Sequence, residues 1–347
     1  MELLRVLAAL AERPAPEHAA LATLVGLPCA PAEDTWTDVF LLGWFPYASV
    51  HLGPEGMLGG EARDRVAGFL RSLDATPPPE PDHLPVLLVA HADLCERAGS
   101  ASAEAPTGDA AQAPAAGAAA RAAHGARALL HEHLLSWLPL YLGRLRVAAP
   151  EPYAAWATLL DDVLRAEAVR RHEPATLPSH LREAPGLDDP RVEDADAPLG
   201  DLGGAPADPS EPSDTSDTSD PAAAGGRRER RRAAGPGRTL LEQLLVPVRT
   251  GMVLSIHDLA RCGRELGVPV RIGERRYVLE HLLGQDTAGT LRWLAEHATT
   301  TTDAALQDWA VPLPRATAWW RARARATAEL LEGLAVEADG AEVVPLA

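Results

Sequence analysis

The chain has 347 residues and a net charge of −17, with 46% hydrophobic but only 4% aromatic residues, so it can bury a sizeable core. Nine Asp, two Glu and one Arg fall within residues 187–220, so this stretch contributes −10 of the charge and the rest of the chain only −7. The remaining sequence has no basic excess to neutralise phosphates. Sequence-independent binding to nucleic acid or to an anionic membrane is therefore disfavoured.

The cysteines and the N-terminus point to a cytoplasmic protein. Cys29, Cys95 and Cys262 are far apart and odd in number, which argues against a disulfide framework and fits a reducing compartment. The opening residues MELLRVLAALAERP have no basic lead, and charged residues interrupt their apolar run, so they predict an amphipathic helix and not a signal peptide. No apolar run is long enough to span a membrane.

Apolar residues recur at helical spacing along most of the chain, which predicts an all-α fold. Ser255 followed by Asp258 is typical of a helix start, and Gly267 with Pro269 is typical of a helix end. Only residues 268–272 suggest a strand. The predicted helices are 2–12, 16–26, 61–73, 83–97, 121–146, 152–170, 239–248, 255–267, 274–283, 287–297 and 315–335.

Composition divides the chain into two helical units. Residues 1–175 form the predicted N-terminal unit, in which the Ala-, Ser-, Gly- and Pro-rich stretch 98–120 is either a flexible insert or the frayed start of the next helix. Residues 176–237 are rich in Pro, Asp, Ser and Gly, so they cannot bury enough apolar surface and are expected to be disordered. Residues 238–347 form a C-terminal helical module, which either folds alone or packs on the first unit.

The stretch PPPEPDHLPVLL, residues 77–88, places two acids and a histidine at the start of a helix. One interpretation is structural, with Asp82 as the helix cap and Pro81 setting the approach of the chain. The other is a metal or acid–base site that draws on His83, His91, Cys95, His131 and His133. The i,i+2 spacing of HEH at 131–133 would point its imidazoles to different sides of a helix, and neither HExxH nor CxxC occurs.

Three functional alternatives remain open at this point. The segment 255–283 has the helix, short turn and Arg-bearing second helix of a helix-turn-helix, so a DNA-binding regulator is one alternative. A metal-dependent hydrolase using His83, His91 and His131 is another. The absence of GxSxG, P-loop and GxGxxG patterns in the sequence argues against nucleophilic catalysis and nucleotide binding. The third alternative is a binding protein without catalytic activity.

Four stretches occur in the order seen in one family: WFPYASVHLGPEGMLGG at 44–60, PEPDHLPVLL at 79–88, LLHEHLLSWLPLYLGRL at 129–145 and PYAAWATLLDDVL at 152–164. The chain thus resembles the TorD/DmsD redox-enzyme maturation chaperones over roughly residues 30–170. The family mark E-P-x-D-H appears as Glu80-Pro81-Asp82-His83, one residue shorter between Pro and Asp. H-L-x-x-W-L-P appears at 133–139.

The resemblance implies an all-α cytoplasmic chaperone without cofactor or enzymatic activity. Its partner would be the catalytic subunit of a molybdopterin oxidoreductase, bound through the twin-arginine leader or as the apo-form until the cofactor is inserted. A monomer is expected, with a dimer as the alternative. The implied client-binding residues are Glu80, Pro81, Asp82, His83, Trp44, Tyr47, His133, Trp137 and Tyr141.

Overall fold

The computed structural model describes residues 1–103, 109–187, 236–271 and 273–342. Over these residues the fold is all-α, as the periodicity predicts, and the only β-type pairing is an isolated antiparallel bridge between Tyr47 and His83. The 268–272 stretch contains no strand in its described residues.

The N-terminal helices form the larger part of the structure. α1 (Glu2–Ala11) buries Leu4, Leu7 and Leu10 in the core, and these three side chains determine which face of the helix packs inward. Along the chain follow α2 (His18–Leu24), α3 (Glu33–Trp36), a first π-helix (Thr37–Gly43), α4 (Ala48–Leu52), α5 (Gly60–Ser72), α6 (Leu84–Ala103), α7 (Asp109–Ala128), a second π-helix (Leu129–Leu134), α8 (Leu138–Ala148), α9 (Tyr153–Arg171) and α10 (Ser179–Glu183).

The C-terminal helices begin at Pro236. The capping box predicted at Ser255 is confirmed, since Ser255 and Asp258 bond reciprocally, and Gly267 ends the same helix with φ +70°. The helices are α11 (Pro236–Leu244), α12 (Pro247–Thr250), α13 (Ile256–Leu266), α14 (Arg275–Gln285), α15 (Thr287–Ala305), a 3₁₀ turn (Gln307–Trp309) and α16 (Pro314–Glu342).

Two predicted helices are divided in the structure. The helix expected at 239–248 is divided into α11 and α12, and the one expected at 121–146 into α7, the second π-helix and α8, with the break just before Pro139. A proline in a helix interior removes a backbone donor and clashes with the preceding turn, whereas the first turn of α8 tolerates it. Residues 27–38, which lie between the helices predicted at 16–26 and 61–73, hold α3 and the start of the first π-helix.

The expected flexible insert and linker are only partly described. Residues 98–103 and 109–120 are helical, in α6 and α7, and residues 104–108 lie outside the described residues. The disorder expected for 176–237 falls mostly on residues 188–235, which also lie outside them. At the near end, residues 177–187 are placed, with His180 and Leu181 buried in α10.

The C-terminal helices pack on the N-terminal ones. The larger core cluster combines residues of α1–α9 with C-terminal side chains such as Trp309 and Trp320. Trp309 donates its indole N–H to Asp161 at 2.8 Å, and Trp320 donates to the Ser136 carbonyl at 3.1 Å. A second cluster belongs almost entirely to α11 and α13–α16. The domain boundaries themselves stay a prediction.

Several helix N-termini are capped by carboxylates from distant parts of the chain. Glu173 accepts from the backbone N–H groups of Arg315 and Ala316, at 2.9 and 2.8 Å, and so caps α16. Glu132 accepts from the Ser179 N–H at 2.8 Å and caps α10. Because a helix N-terminus leaves four N–H groups unpaired, such acids tie elements together while satisfying buried donors. None of the described helices is both long and apolar enough to cross a membrane.

Candidate functional site: the Glu80–His83 mouth

The sequence EPDH lies against residues 46–49. The surface cluster at this contact consists of Glu12, Tyr47, Glu80 and His83 and is named the mouth. Leu84 N–H donates to the Pro46 carbonyl at 2.8 Å, and Ala48 N–H donates to the Asp82 carbonyl at 3.0 Å. These backbone hydrogen bonds hold the two segments side by side, so Tyr47 and His83 face each other. Their rings stack at a centroid distance of 4.7 Å and an interplanar angle of 24°.

Two carboxylates flank this ring pair. Tyr47 donates its hydroxyl to Glu80 Oε2 at 2.9 Å, and Glu12 Oε1 of the loop after α1 lies 3.7 Å from His83 Nδ1. Glu80 is exposed, and the side chain of Glu12 is half exposed. The structure therefore brings Glu80, Tyr47 and His83 together at the surface, a contact that the sequence does not predict although it singles out each of the three residues. Glu12 is a further member that no motif signalled.

The electrostatics make the mouth acidic. Burial lowers the pKa of His83, although Glu12, Glu80 and Asp82 oppose that shift, so the imidazole is neutral near pH 7. Burial and the Glu80 carboxylate together raise the pKa of Tyr47, which keeps its hydroxyl protonated and able to donate. Exposed carboxylates next to a neutral imidazole can accept hydrogen bonds from a cationic donor such as a guanidinium.

Asp82 has a different role from the one predicted for it. It is 2% exposed, and its Oδ2 accepts from the backbone N–H of Ser49 at 3.0 Å, so it caps α4 and not the helix that it precedes. The correction has a simple cause: the N–H groups of His83 and Leu84 already bond to the carbonyls of Glu80 and Pro46. Pro81 is buried beside it.

Ser49 links Asp82 to the glycine-rich loop through hydrogen bonds. Its hydroxyl accepts from Gly59 N–H at 3.2 Å, so Asp82 positions α4 and α4 positions the glycine-rich loop that follows. Sequence reasoning did not find Ser49. The only signal would have been a small polar residue at the second position of a helix too short to predict from periodicity.

The aromatic residues expected to line a binding groove lie in the core instead. Trp44, Trp137 and Tyr141 are each at most 2% exposed. Trp137 stacks on His51 at 4.7 Å, and Tyr141 donates its hydroxyl to the Trp44 carbonyl at 2.9 Å. Large aromatic side chains with their polar tips satisfied are ordinary core residues. They therefore offer no groove wall in this conformation.

His133 is also buried, at 6% exposure, beside Phe69 and His180. His131 turns to the other side of the second π-helix, where burial lowers its pKa to about 4, with Arg127 and His91 adding to the shift. The expected divergence of the two imidazoles is thus observed. Glu132 between them caps α10, which gives HEH a packing role.

The positions of the described side chains do not support the metal-site alternative. His83 stacks on Tyr47, whereas His91 Nε2 lies 3.7 Å from Cys95 Sγ, one turn further along α6. Among the residues whose positions are described, no three His, Cys, Asp or Glu side chains are grouped as a metal site requires.

The helix-turn-helix alternative places Arg275 and Arg276 in α14, as the second helix. Arg275 donates to the Leu254 carbonyl at 2.9 Å and lies 5.7 Å from the Phe45 ring, and Arg276 pairs with Glu242 at 2.9 Å. A DNA-reading helix would present such side chains outward. These arginines instead engage their own chain, so the geometry does not favour DNA binding.

Residues 27–142 match the family model described as nitrate reductase delta subunit, a family of molybdoenzyme maturation chaperones. The match covers about a third of the chain and supports the chaperone family, without singling out the TorD/DmsD members. No curated protein and no solved structure matches the chain.

Proposed function

We propose that this protein is a cytoplasmic maturation chaperone, and not an enzyme, for the catalytic subunit of a molybdopterin oxidoreductase. It would bind the twin-arginine leader or the apo-form of that subunit and hold it until the cofactor has been inserted. The observation that carries this proposal is the surface mouth of Glu80, Tyr47 and His83, which lies within the matched residues 27–142.

The charge and exposure of the mouth suit this client. Glu12 and Glu80 can accept from the guanidinium groups of a leader, and such partly exposed pairs add little affinity but fix the register. Apolar contacts of the client must supply most of the affinity, at about 1.5–3 kcal/mol for each buried Leu-sized side chain. Four or five such side chains, less about 2–5 kcal/mol for ordering the leader peptide, lead us to expect micromolar binding, near −8 kcal/mol. Affinity in that range allows the client to be released once it is mature.

Calorimetric titration with the leader peptide of a molybdoenzyme encoded next to this protein tests the function. We expect micromolar binding, weakened about three-fold by Glu80→Gln, which removes the negative charge offered to a guanidinium, and by Tyr47→Phe, which removes the hydroxyl that orders the Glu80 carboxylate. Glu337→Gln, an exposed change on α16, is the matched control and should leave binding unchanged.

Two outcomes would count against this assignment. Leader binding that is insensitive to both mouth variants would place the site elsewhere on the chain. If neither the leader nor the apo-form of the catalytic subunit binds in titration or pull-down, the chaperone function itself is wrong.

A further inference from the structure

The mouth has two sides, and different parts of the chain hold them. On one side lies Glu80, and the carbonyl of the preceding Pro79 accepts from Arg63 of α5 at 2.9 Å. An N-terminal helix therefore holds this side. On the other side lies Tyr47, within residues 43–56, which are named the Tyr47 segment. The Tyr47 segment contacts C-terminal residues both before and after Tyr47.

The contact before Tyr47 is made by Arg275, at the start of α14. Its guanidinium carbon lies 5.7 Å from the centroid of the Phe45 ring, and its Nη1 donates to the Leu254 carbonyl at 2.9 Å. A cation at this distance from an aromatic face is attracted to it. The Phe45 carbonyl accepts from His51 at 3.0 Å, so both the ring and the backbone of Phe45 are held. The start of α14 is thus linked directly to the backbone next to Tyr47.

Two contacts after Tyr47 involve the glycine-rich loop that follows α4. Arg249 of α12 donates its Nε–H to the Pro54 carbonyl at 2.7 Å. The backbone at Gly56 lies so close to Val246 that an added Cβ would be 2.9 Å from Cγ2 of that side chain. C-terminal residues therefore hold the Tyr47 segment on both sides of the mouth residue that it carries.

The geometry of the mouth depends on such supporting contacts. A binding site keeps its geometry only if its side chains are held to within about 0.5 Å by the residues around them. Asp82 supplies one support, through its bond to the Ser49 N–H. The Tyr47 hydroxyl lies 2.9 Å from Glu80 Oε2, and a hydrogen bond weakens steeply when its distance or angle departs from the ideal. The contacts from the C-terminal helices supply support from the opposite direction.

We propose that the C-terminal helices position the mouth, and that Arg275 is a positioning residue that acts through Phe45 on Tyr47. This gives a function to helices that lie outside the matched residues 27–142. The positioning itself rests on the contacts of the Tyr47 segment alone. Its effect on client binding rests on the proposed chaperone function.

Tyrosine NMR of the full chain detects this positioning without a client, because the sequence has only four tyrosines. The stacked His83 ring and the bond to Glu80 shift the ring signals of Tyr47, whereas Tyr153 is buried in α9 and reports on the fold. With ring-¹³C tyrosine, and Tyr47→Phe to assign the signal, we expect Arg275→Met to move the Tyr47 signal towards that of a free tyrosine. The Tyr153 signal should stay unchanged.

Three comparisons test whether Arg275 acts through Phe45. Arg275→Lys keeps a positive charge near the ring and should restore most of the Tyr47 signal. In a Phe45→Leu background, Arg275→Met should cause no further shift, because the contact is already absent. Arg264→Met, which removes an exposed arginine from α13, is the matched control and should leave the Tyr47 signal unchanged.

Calorimetric titration with the leader peptide measures the consequence for binding. We expect Arg275→Met to weaken binding about three-fold, as Tyr47→Phe does, since both changes remove the bond between Tyr47 and Glu80. An unchanged Tyr47 signal in Arg275→Met, or the same shift in the Phe45→Leu background, would overturn the inference. If Arg275→Met also loses the Tyr153 signal and is therefore unfolded, Phe45→Leu alone must move the Tyr47 signal for the inference to stand.

The two proposals fail separately. If the Tyr47 signal responds as expected but no leader or apo-subunit binds, the positioning stands and the chaperone function is wrong. If the leader binds and the mouth variants weaken it while Arg275→Met changes neither the Tyr47 signal nor the affinity, the chaperone function stands and the positioning is wrong.

Discussion

At the scale of single residues, the acids at the mouth and at the helix ends divide into two kinds. Asp82, Glu132 and Glu173 are carboxylates that cap the N-terminus of a distant helix, whereas Glu80 and Glu12 are carboxylates at the surface with capacity to bind a partner. The distinction cannot be drawn from spacing. A cap contributes to stability through the donors that it satisfies, and a surface acid contributes chiefly to recognition.

Asp82 gives a test of this division. Replacing it by Ala leaves the buried Ser49 N–H without its acceptor, so Asp82→Ala should lower the free energy of unfolding by about 1–2 kcal/mol. Asp82→Asn keeps an acceptor oxygen of the same shape and should lose clearly less. Denaturant unfolding of the three proteins measures both values. A variant that lost client binding with no loss of stability would show instead that Asp82 contacts the client.

At the scale of elements, the two sets of helices approach each other closely where α8 crosses α15. A Cβ added at Gly143 would lie 2.6 Å from the Cα and Cβ of Ala305 and 2.7 Å from its carbonyl oxygen. No side chain can be accommodated at that distance unless one helix moves. The buried ion pair between Arg144 and Asp258, at 2.6 Å, lies one residue further along α8.

We therefore expect Gly143→Ala to lower the free energy of unfolding by about 1–3 kcal/mol, because overpacking forces the backbone to shift. The matched control is Gly68→Ala in the middle of α5, where an added Cβ meets nothing within 4 Å. That change should stabilise the protein by about 0.5–1 kcal/mol through helix propensity. Chemical denaturation compares the two. Equal effects would mean that the α8–α15 crossing is looser than the structure shows.

The elements also show where sequence-based prediction succeeds and where it stops. Motif order singles out Glu80, Tyr47 and His83 as site residues but does not predict their mutual contact. The all-α class, most long helices and the Ser255 capping box follow from apolar periodicity and cap chemistry. The two π-helices, the short α3, α4 and α10, and the burial of Trp44, Trp137 and Tyr141 do not. These features depend on tertiary packing, which no local pattern records.

At the scale of the whole molecule, the feature with the largest expected effect on the free energy of unfolding is the number of buried, uncharged histidines. In the described part of the chain, burial lowers the pKa to about 3 for His133 and to about 4 for His51, His91, His131, His180 and His297. All six are at most 6% exposed. An unfolded histidine has a pKa near 6.5.

The sign of the effect follows from proton binding. Between about pH 6.5 and pH 4 the unfolded chain binds these protons and the folded chain does not, so stability is complete above that window and is lost as the pH falls through it. Each histidine contributes roughly 1.3 kcal/mol of loss between pH 7.5 and pH 5.5, or about 8 kcal/mol for six. The raised pKa of Asp161, also caused by burial, acts in the opposite direction for one group.

A loss of about 8 kcal/mol approaches the whole stability of an ordinary protein of this size. We therefore expect the chain to be folded at pH 7.5 and to unfold cooperatively near pH 5.5, well above the range in which carboxylates titrate. Denaturant midpoints at half-unit pH steps, with potentiometric proton uptake, should give about six protons bound on unfolding near pH 5. His281→Gln, at an exposed position, should not change the profile. Stability that stayed constant down to pH 5 would mean that these histidines are hydrated or charged in the folded protein.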